Sequence, residues 1–395
     1  MFEQTPQKSQ QDDNYRVAWL IPSLRGGNYW HPVLSEFTRQ FTKTLVYTAQ
    51  WSGYAAGFEN EFVVEVIGEQ RLFKAQSTEG YNRNFIILSP KVIIHLLKFK
   101  PDVIFTNGFS LWTLLSILFK PIGKWRVTIA YEGSAPNIDC RDSQFRTFCR
   151  RIMAKWGDAF VTNSKAGKLY LTEVLGAQPE LVFAQPYEVP VSAALLQQVQ
   201  NSHPEQLRLL PKPIFLFVGQ LIPRKGIRCL LKACATLKTR GRNDYTLLII
   251  GEGEQRQELE AFSKEQDLPV KWLGWVDYGS LGNYFKVADV FVLPTIEDTW
   301  GMVVLEAMVF SKPILCSTGA GASEMVIEGE NGYLFEPENI EELAKSMCRF
   351  MDGSDIAHMG SISQKLIAQY TPKAAAKFLA DVTYFAFGSC EVTRS

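Results

Sequence analysis

The chain has 395 residues, which at roughly 150 per domain predicts two or three domains, two being the easier fit. It is 46% hydrophobic and 21% charged, so wholesale disorder, collagen and coiled coil are excluded. Forty-one basic residues balance 41 acidic ones, which argues against a nucleic-acid binder held by a general basic excess. The seven cysteines are odd in number, scattered and without a C-x-x-C pair, and so point to reduced thiols in a cytoplasmic protein rather than a disulfide frame or zinc site.

The first 16 residues are polar and contain no apolar core of a secretory signal; residues 1–14 are expected to be a disordered tail. The first strand is predicted at Val17–Ile21, ending at Pro22 and the Gly26-Gly27 pair. Further short apolar runs then alternate with helical stretches. Val103–Thr106 precedes Phe109–Phe119, Val127–Ala130 precedes Ser143–Trp156, and Ala159–Thr162 precedes Lys165–Leu175. Such alternation predicts βαβ units and a parallel sheet covered on both faces. The longest apolar run, around Leu111–Phe119, is far short of the ~20 residues a spanning helix needs.

Residues 185–212 carry Pro186, Pro190, Pro204 and Pro211 among polar residues, and read as a linker. Alternation resumes with strand Ile214–Val218, helix Gly226–Arg240, strand Leu247–Ile250 and helix Glu254–Gln266. Strand Val290–Leu293, helix Met302–Phe310 and strand Ile314–Cys316 follow. The predicted division is an N-terminal domain over 15–190, a linker over 191–212 and a C-terminal domain over 213–370. A last helix over 371–395 is expected to pack back on the first domain. Two parallel-sheet domains then face a common cleft, because ligands in open α/β sheets bind beyond the carboxyl ends of the strands.

Two stretches carry chemistry. In the first, Pro294-Thr295-Ile296-Glu297-Asp298-Thr299-Trp300-Gly301 leaves a strand and opens a helix that contains Glu306. Asp298 is placed to cap that helix. Glu306 falls among Val303, Val304, Leu305 and Met308, where burying a carboxylate is costly unless something such as a diol hydrogen-bonds it. A surface glutamate behind an ordinary cap is the plainer reading. In the second, Gly219-Gln220-Leu221-Ile222-Pro223-Arg224-Lys225-Gly226 sets two cations at a strand-to-helix junction, which suits a pyrophosphate. An exposed turn with no ligand is the alternative.

In this order the two stretches resemble glycosyltransferase family 4, whose patterns look like G-R-L-x-x-x-K-G and E-x7-E followed by A-M. Ile249–Gly253, Trp272–Val276, Gly321–Gly329 and Asn331–Leu334 match further family landmarks. The resemblance is strong over 214–350 and weak before it. It implies an α/β GT-B fold of two Rossmann-like domains and a retaining hexosyltransferase that uses a nucleotide-diphosphate sugar as co-substrate. Lys225, with Arg224 beside it, would hold the donor pyrophosphate and Glu306 the ribose. Backbone at Trp275 and Val276 would flank the base, and the amides of Thr299, Trp300 and Gly301 would meet the sugar or phosphates. Gln220 departs from the family's arginine, and Asp298 stands where the first glutamate of E-x7-E is usual, with Glu297 one position early. Which of the two carboxylates takes that role stays open.

In the first half, the family places a glycine-rich loop against the donor phosphates, here Gly26 and Gly27, with a plain turn as the rival; Asn28 and His31 continue the loop and could face an acceptor, a structural or solvated histidine being the plainer reading of His31. A family histidine that contacts the donor sugar is replaced by Glu132. Glu132 and Asn107, at predicted strand ends, either meet the sugars or cap helices. Asp298, Glu132 and Lys225 are thus the candidates for the chemical step, and Asn163-Ser164 reads as a helix cap. There is no D-x-D and no metal-ligand spacing, so a donor neutralised by cations and helix ends, insensitive to chelators and needing no cofactor, is expected.

Residues 91–168 hold 13 Lys and Arg against five acids. Arg146, Arg150, Arg151 and Lys155 form either a solvated helix face or a peripheral contact with anionic lipid at the inner membrane face. The acceptor implied is a saccharide or a lipid-linked one, with no nucleic acid. The rivals are another GT-B enzyme, epimerase-like or a phosphorylase, and a non-catalytic sugar- or partner-binding protein motivated by Gln220 and Asp298.

Overall fold

The structure is a computed structural model that describes residues 15–24, 29–55, 57–68, 71–73, 85–139, 141, 143–197, 207 and 209–392. The predicted tail and the loop residues Gly26, Gly27 and Asn28 lie outside the described residues. The N-terminal sheet contains β1 (Arg16–Leu20), β2 (Lys43–Thr48) and β3 (Val63–Val66), followed in the chain by an antiparallel pair of β4 (Arg71–Phe73) and β5 (Phe85–Ile87). It continues with β6 (Val103–Asn107), β7 (Arg126–Ala130), β8 (Ala159–Thr162) and β9 (Val182–Ala184), and is parallel throughout in the order β3-β2-β1-β6-β7-β8-β9.

The C-terminal sheet is built from β10 (Ile214–Val218), β11 (Thr246–Ile250), β12 (Val270–Gly274), β13 (Val290–Leu293), β14 (Ile314–Ser317) and β15 (Gly332–Phe335). Its order is β12-β11-β10-β13-β14-β15, again all parallel. Strands such as Phe215–Phe217 and Val290–Leu293 are fully buried, as continuous apolar runs sandwiched between helices should be. The strand order reverses between β1 and β6 in one sheet and between β10 and β13 in the other. Loops that leave those strands diverge and open a crevice. The cationic turn follows β10 and the Pro294–Gly301 stretch follows β13, so the two stretches flank one switch point.

The helices form where the apolar period predicts them, with ends set by caps. Ser110 caps helix Leu111–Leu118 and Ser143 caps helix Gln144–Trp156. The expected helix Lys165–Leu175 is an α-helix only over Lys165–Leu169 and continues as a π-helical turn, Tyr170–Val174. Of the stretch that reads as a linker, Tyr187, Glu188 and Val189 are buried and Ser192–Gln197 is helical, while residues 198–206 and 208 lie outside the described residues. The last helix, Pro372–Val392, leaves the C-terminal domain and packs on helix Trp30–Gln40 and on β6, β7 and β8.

Candidate functional site

Gly226 makes the cationic turn possible. Its φ is 66°, and a Cβ there would lie 1.9 Å from the carbonyl oxygen of Pro294. Glycine thus lets the turn Pro223–Lys225 press onto the backbone after β13. The carbonyl of Arg224 accepts from the Ile296 amide at 2.7 Å and the Thr295 hydroxyl at 2.9 Å. With the backbones locked, Lys225 Nζ pairs with Asp298 Oδ2, and Arg224 lies 3.9 Å from the same oxygen while donating to the Glu297 carbonyl at 3.4 Å.

Asp298 is therefore not a helix cap. The N-cap is Gly301, at φ 101° and without a side-chain cap bond, and the Asp298 carboxylate turns to the cations instead. Glu297 turns the opposite way. Its carboxylate accepts from the Asn137 amide at 3.2 Å and its side-chain nitrogen at 2.8 Å, tying the two domains together. Of the two carboxylates left open by the sequence, Asp298 is the one beside Lys225.

Glu306 is 8% exposed, one and a half turns into helix Met302–Val309, and not a surface residue. Its Oε1 accepts from the Tyr278 hydroxyl at 3.0 Å. Burial pushes its carboxyl up to about 7, and the Tyr278 bond pulls the other way. Val276 is partly buried just beyond β12, next to the exposed Trp275.

From the N-terminal domain, Glu132 follows β7 and its Oε1 accepts from Asn107 Nδ2 at 3.0 Å, so the two candidates from neighbouring strand ends meet. Burial raises the Glu132 carboxyl, while bonds from Asn107 and Glu188 lower it. Asn163 does not cap the next helix; Ser164 does. The Asn163 amide instead donates to the Glu132 carbonyl at 2.9 Å and accepts from the Tyr187 and Glu188 amides at 2.9 and 3.0 Å.

Of the two readings of His31, the structure favours the structural one over the acceptor-side one. It is 1% exposed, its Nδ1 accepts from the Ala55 amide at 2.8 Å, and its ring packs among Trp51, Tyr54 and Phe62, so it is a structural histidine. The domains are in contact. Gly133 abuts the Thr299 carbonyl, Trp300 Nε1 donates to the Glu188 carbonyl at 3.1 Å, and Glu324 accepts from the amides of Lys165 and Ala166 at 2.9 and 3.1 Å. Two interdomain cavities flank these contacts. One of about 530 Å³ is lined by Asn137, Arg224, Arg228 and Glu297, and one of about 420 Å³ by Asn163, Pro186, Trp300 and Glu324. Sequence reasoning missed Tyr278, Asn137 and Glu188, for which no motif gave a signal. Among the described residues no group of three or more His, Cys, Asp or Glu is placed to hold a metal ion, and no helix is long and apolar enough to cross a membrane.

Residues 199–366 match the family model of glycosyl transferases group 1. Alpha-D-kanosaminyltransferase of Streptomyces kanamyceticus is 25% identical over 238 residues, 57% of this chain and 60% of that protein. An uncharacterized glycosyltransferase of Methanocaldococcus jannaschii is 28% identical over 142 residues, 36% of this chain and 39% of that protein. The chain thus spans between 39% and 60% of the length of these two relatives. Among solved structures, Anabaena HepE in complex with UDP superposes with a TM-score of 0.72 at 18% identity, covering 93% of this chain and 99% of that one. The fold is accordingly that of the GT-B glycosyltransferases: two parallel-sheet α/β domains joined across a cleft.

Proposed function

We propose that the protein is a hexosyltransferase-type glycosyltransferase that moves a sugar from a nucleotide-diphosphate sugar to a saccharide or lipid-linked acceptor, with retention and without a metal ion. The observation that carries this reading is the meeting of Lys225 and Arg224 with Asp298, on the same loop and helix that hold the buried Glu306. A pyrophosphate displacing Asp298 from the two cations would have its growing charge stabilised as the glycosidic bond to the leaving diphosphate breaks. That is work a metal ion does elsewhere. The ribose diol would satisfy Glu306. UDP bound to HepE supports a uridine nucleotide, and the kanosaminyltransferase likeness supports transfer of a sugar.

The acceptor side points to a membrane surface. Helix Gln144–Trp156 carries four basic residues and no acidic one, yet exposes Phe145, Phe148, Ile152 and Trp156. An apolar row edged with cations suits the anionic inner face of a membrane, where a lipid-linked acceptor would be presented.

A thermal-shift screen across UDP-, GDP- and ADP-sugars tests the function first, since a ligand at about 100 Kd stabilises by about 2.7 kcal/mol. Transfer from the stabilising donor, the anomeric configuration of the product by NMR, and activity in EDTA then test the finer assignments. A protein that no nucleotide sugar stabilises, and that neither hydrolyses nor transfers one, is a binding protein on this scaffold instead. Loss of activity in EDTA with rescue by Mn²⁺ removes the metal-independent assignment.

A further inference from the structure

Glu188 lies in the stretch that reads as linker, yet it is 4% exposed at the face between the domains. Its backbone is held on both sides, by Asn163 at the amide and Trp300 at the carbonyl. Because Asn163 also holds the Glu132 carbonyl, one side chain fixes Glu132 and Glu188 beside each other. The two carboxyls lie close enough that the Glu132 charge helps to raise the Glu188 carboxyl. Glu188 Oε1 and the hydroxyl of Tyr187 are both buried without a hydrogen-bond partner among the described residues. Buried polar atoms are ordinarily satisfied, and two orphans on consecutive residues mark a place where the partner is not the protein.

We propose that Glu188 and Tyr187, together with Glu132, form a subsite that reads hydroxyl groups of the acceptor saccharide beside the transfer centre. This deepens the transferase reading and rests on it. All three residues belong to the N-terminal domain, opposite the cationic turn and Glu306, so they approach the reaction from the acceptor's side. A sugar hydroxyl can donate to Glu188 Oε1 while a second accepts from the Tyr187 hydroxyl. The 420 Å³ cavity is lined by Asn163, Pro186 and Trp300, the neighbours that fix this segment, and gives a saccharide room next to it.

The groups that face the pair are few. Asn107 bonds Glu132, the Tyr29 hydroxyl lies near both carboxyls, Tyr187 adjoins them, and Asp298 reaches Glu188 across the cleft, itself held by Lys225 and Arg224. Burial first, and then the neighbouring Glu132, raise the Glu188 carboxyl.

The test uses the full-length chain and the donor found in the screen, with transfer and donor hydrolysis measured together. Tyr187→Phe removes a hydroxyl that bonds nothing described in the protein, so the fold loses no bond. The subsite predicts an acceptor KM raised roughly three- to tenfold with the donor KM within about twofold. An unchanged acceptor KM overturns the proposal, and a rise in donor KM instead assigns the hydroxyls to the donor sugar and equally overturns it. Glu188→Gln keeps the shape but replaces the carboxylate acceptor, and should raise the acceptor KM with the donor KM within about twofold; an acceptor KM equal to the parent's overturns the role of Glu188. If the parent transfers sugar and neither variant alters acceptor kinetics, the subsite fails while the transferase reading stands. If the parent turns over no donor, both fall together.

Discussion

Tyr278 donates its hydroxyl proton to Oε1 of Glu306 over 3.0 Å, joining the segment after β12 to the helix after β13. A buried carboxyl that would otherwise stand alone thereby has one bond, and its other oxygen is left for a ligand. In the proposed transferase, this pair would stand where the ribose binds.

This pair makes nucleotide binding depend on pH. The Glu306 carboxyl sits at about 7 in the fold against 4.5 for the ordinary group. A raised carboxyl binds its proton more tightly folded than unfolded, so its contribution to stability is fully present below about 4.5 and is lost as pH rises through about 7. A diol prefers the ionised carboxylate, which accepts from both hydroxyls. UDP affinity, by calorimetry, should therefore rise about tenfold between pH 6 and 8, with proton release on binding below pH 7. Glu306→Gln should bind more weakly and without that slope, whereas Tyr278→Phe should push the rise to higher pH. A flat profile in the parent protein would remove the ribose assignment.

Lys225 is expected to matter twice. Its pair with Asp298 is largely buried, and deleting one partner of such a pair costs up to about 3–5 kcal/mol, a loss that Arg224, facing the same carboxylate, offsets in part. Lys225→Met should thus lower both Tm and kcat, the latter by about 10²–10³, the loss seen when one donor to a developing charge is removed. Adding Asp298→Asn should restore part of Tm, since the buried carboxylate that lost its nearest cation is neutralised, and none of the activity. If the double variant recovers turnover, the lysine serves the fold and not the phosphate.

Much of this was legible in the residues. The apolar runs that became β1, β6, β7, β8, β10, β11, β13 and β14 are continuous because both faces are covered, and they fixed the two-sheet reading. The cationic turn and the acidic stretch were visible as local patterns, and the strand order then explains their meeting: β10 and β13 are adjacent at the switch point although β11 and β12 lie between them in the chain. What stayed hidden depends on tertiary neighbours. The prolines around Tyr187–Val189 suggested a linker, since nothing local shows that Trp300 and Asn163 will cover it. His31 looked free because its partners Trp51, Tyr54 and Ala55 come from beyond the next strand.

Closure can be tested at Gly133. A Cβ at this position would lie 2.1 Å from the Thr299 carbonyl oxygen, and backbone on the facing domain cannot yield as a flexible side chain would. Gly133→Ala should hold the domains apart, separating Asn137 from Glu297 and Trp300 from Glu188. Displacements of about 1 Å in a transfer geometry can cost 10²-fold, so kcat should fall by about that factor. UDP affinity, which rests on the C-terminal domain, should change far less, and small-angle scattering should show a larger radius of gyration. An unchanged kcat would mean that this contact is not part of the working conformation.

The surface of helix Gln144–Trp156 makes the last prediction. Phe145, 76% exposed, and Trp156, 57% exposed, end a row that includes Phe148 and Ile152; spacings of three and four residues keep all of them on one stripe. Arg150 turns inward to the carbonyls of Ile138 and Asp139, which leaves Arg146 on one edge of the stripe and Arg151 and Lys155 on the other. The neighbouring helix Leu111–Leu118 extends the apolar surface with Leu118. Three edge cations at about 1 kcal/mol each near an anionic surface, added to aromatic insertion, predict sedimentation with phosphatidylglycerol vesicles that weakens in high salt. Phe148→Ser with Ile152→Ser and Trp156→Ser should abolish it while turnover of a soluble acceptor persists. Equal binding to uncharged phosphatidylcholine would discard the electrostatic part, and a parent protein that sediments with neither would discard the membrane surface altogether.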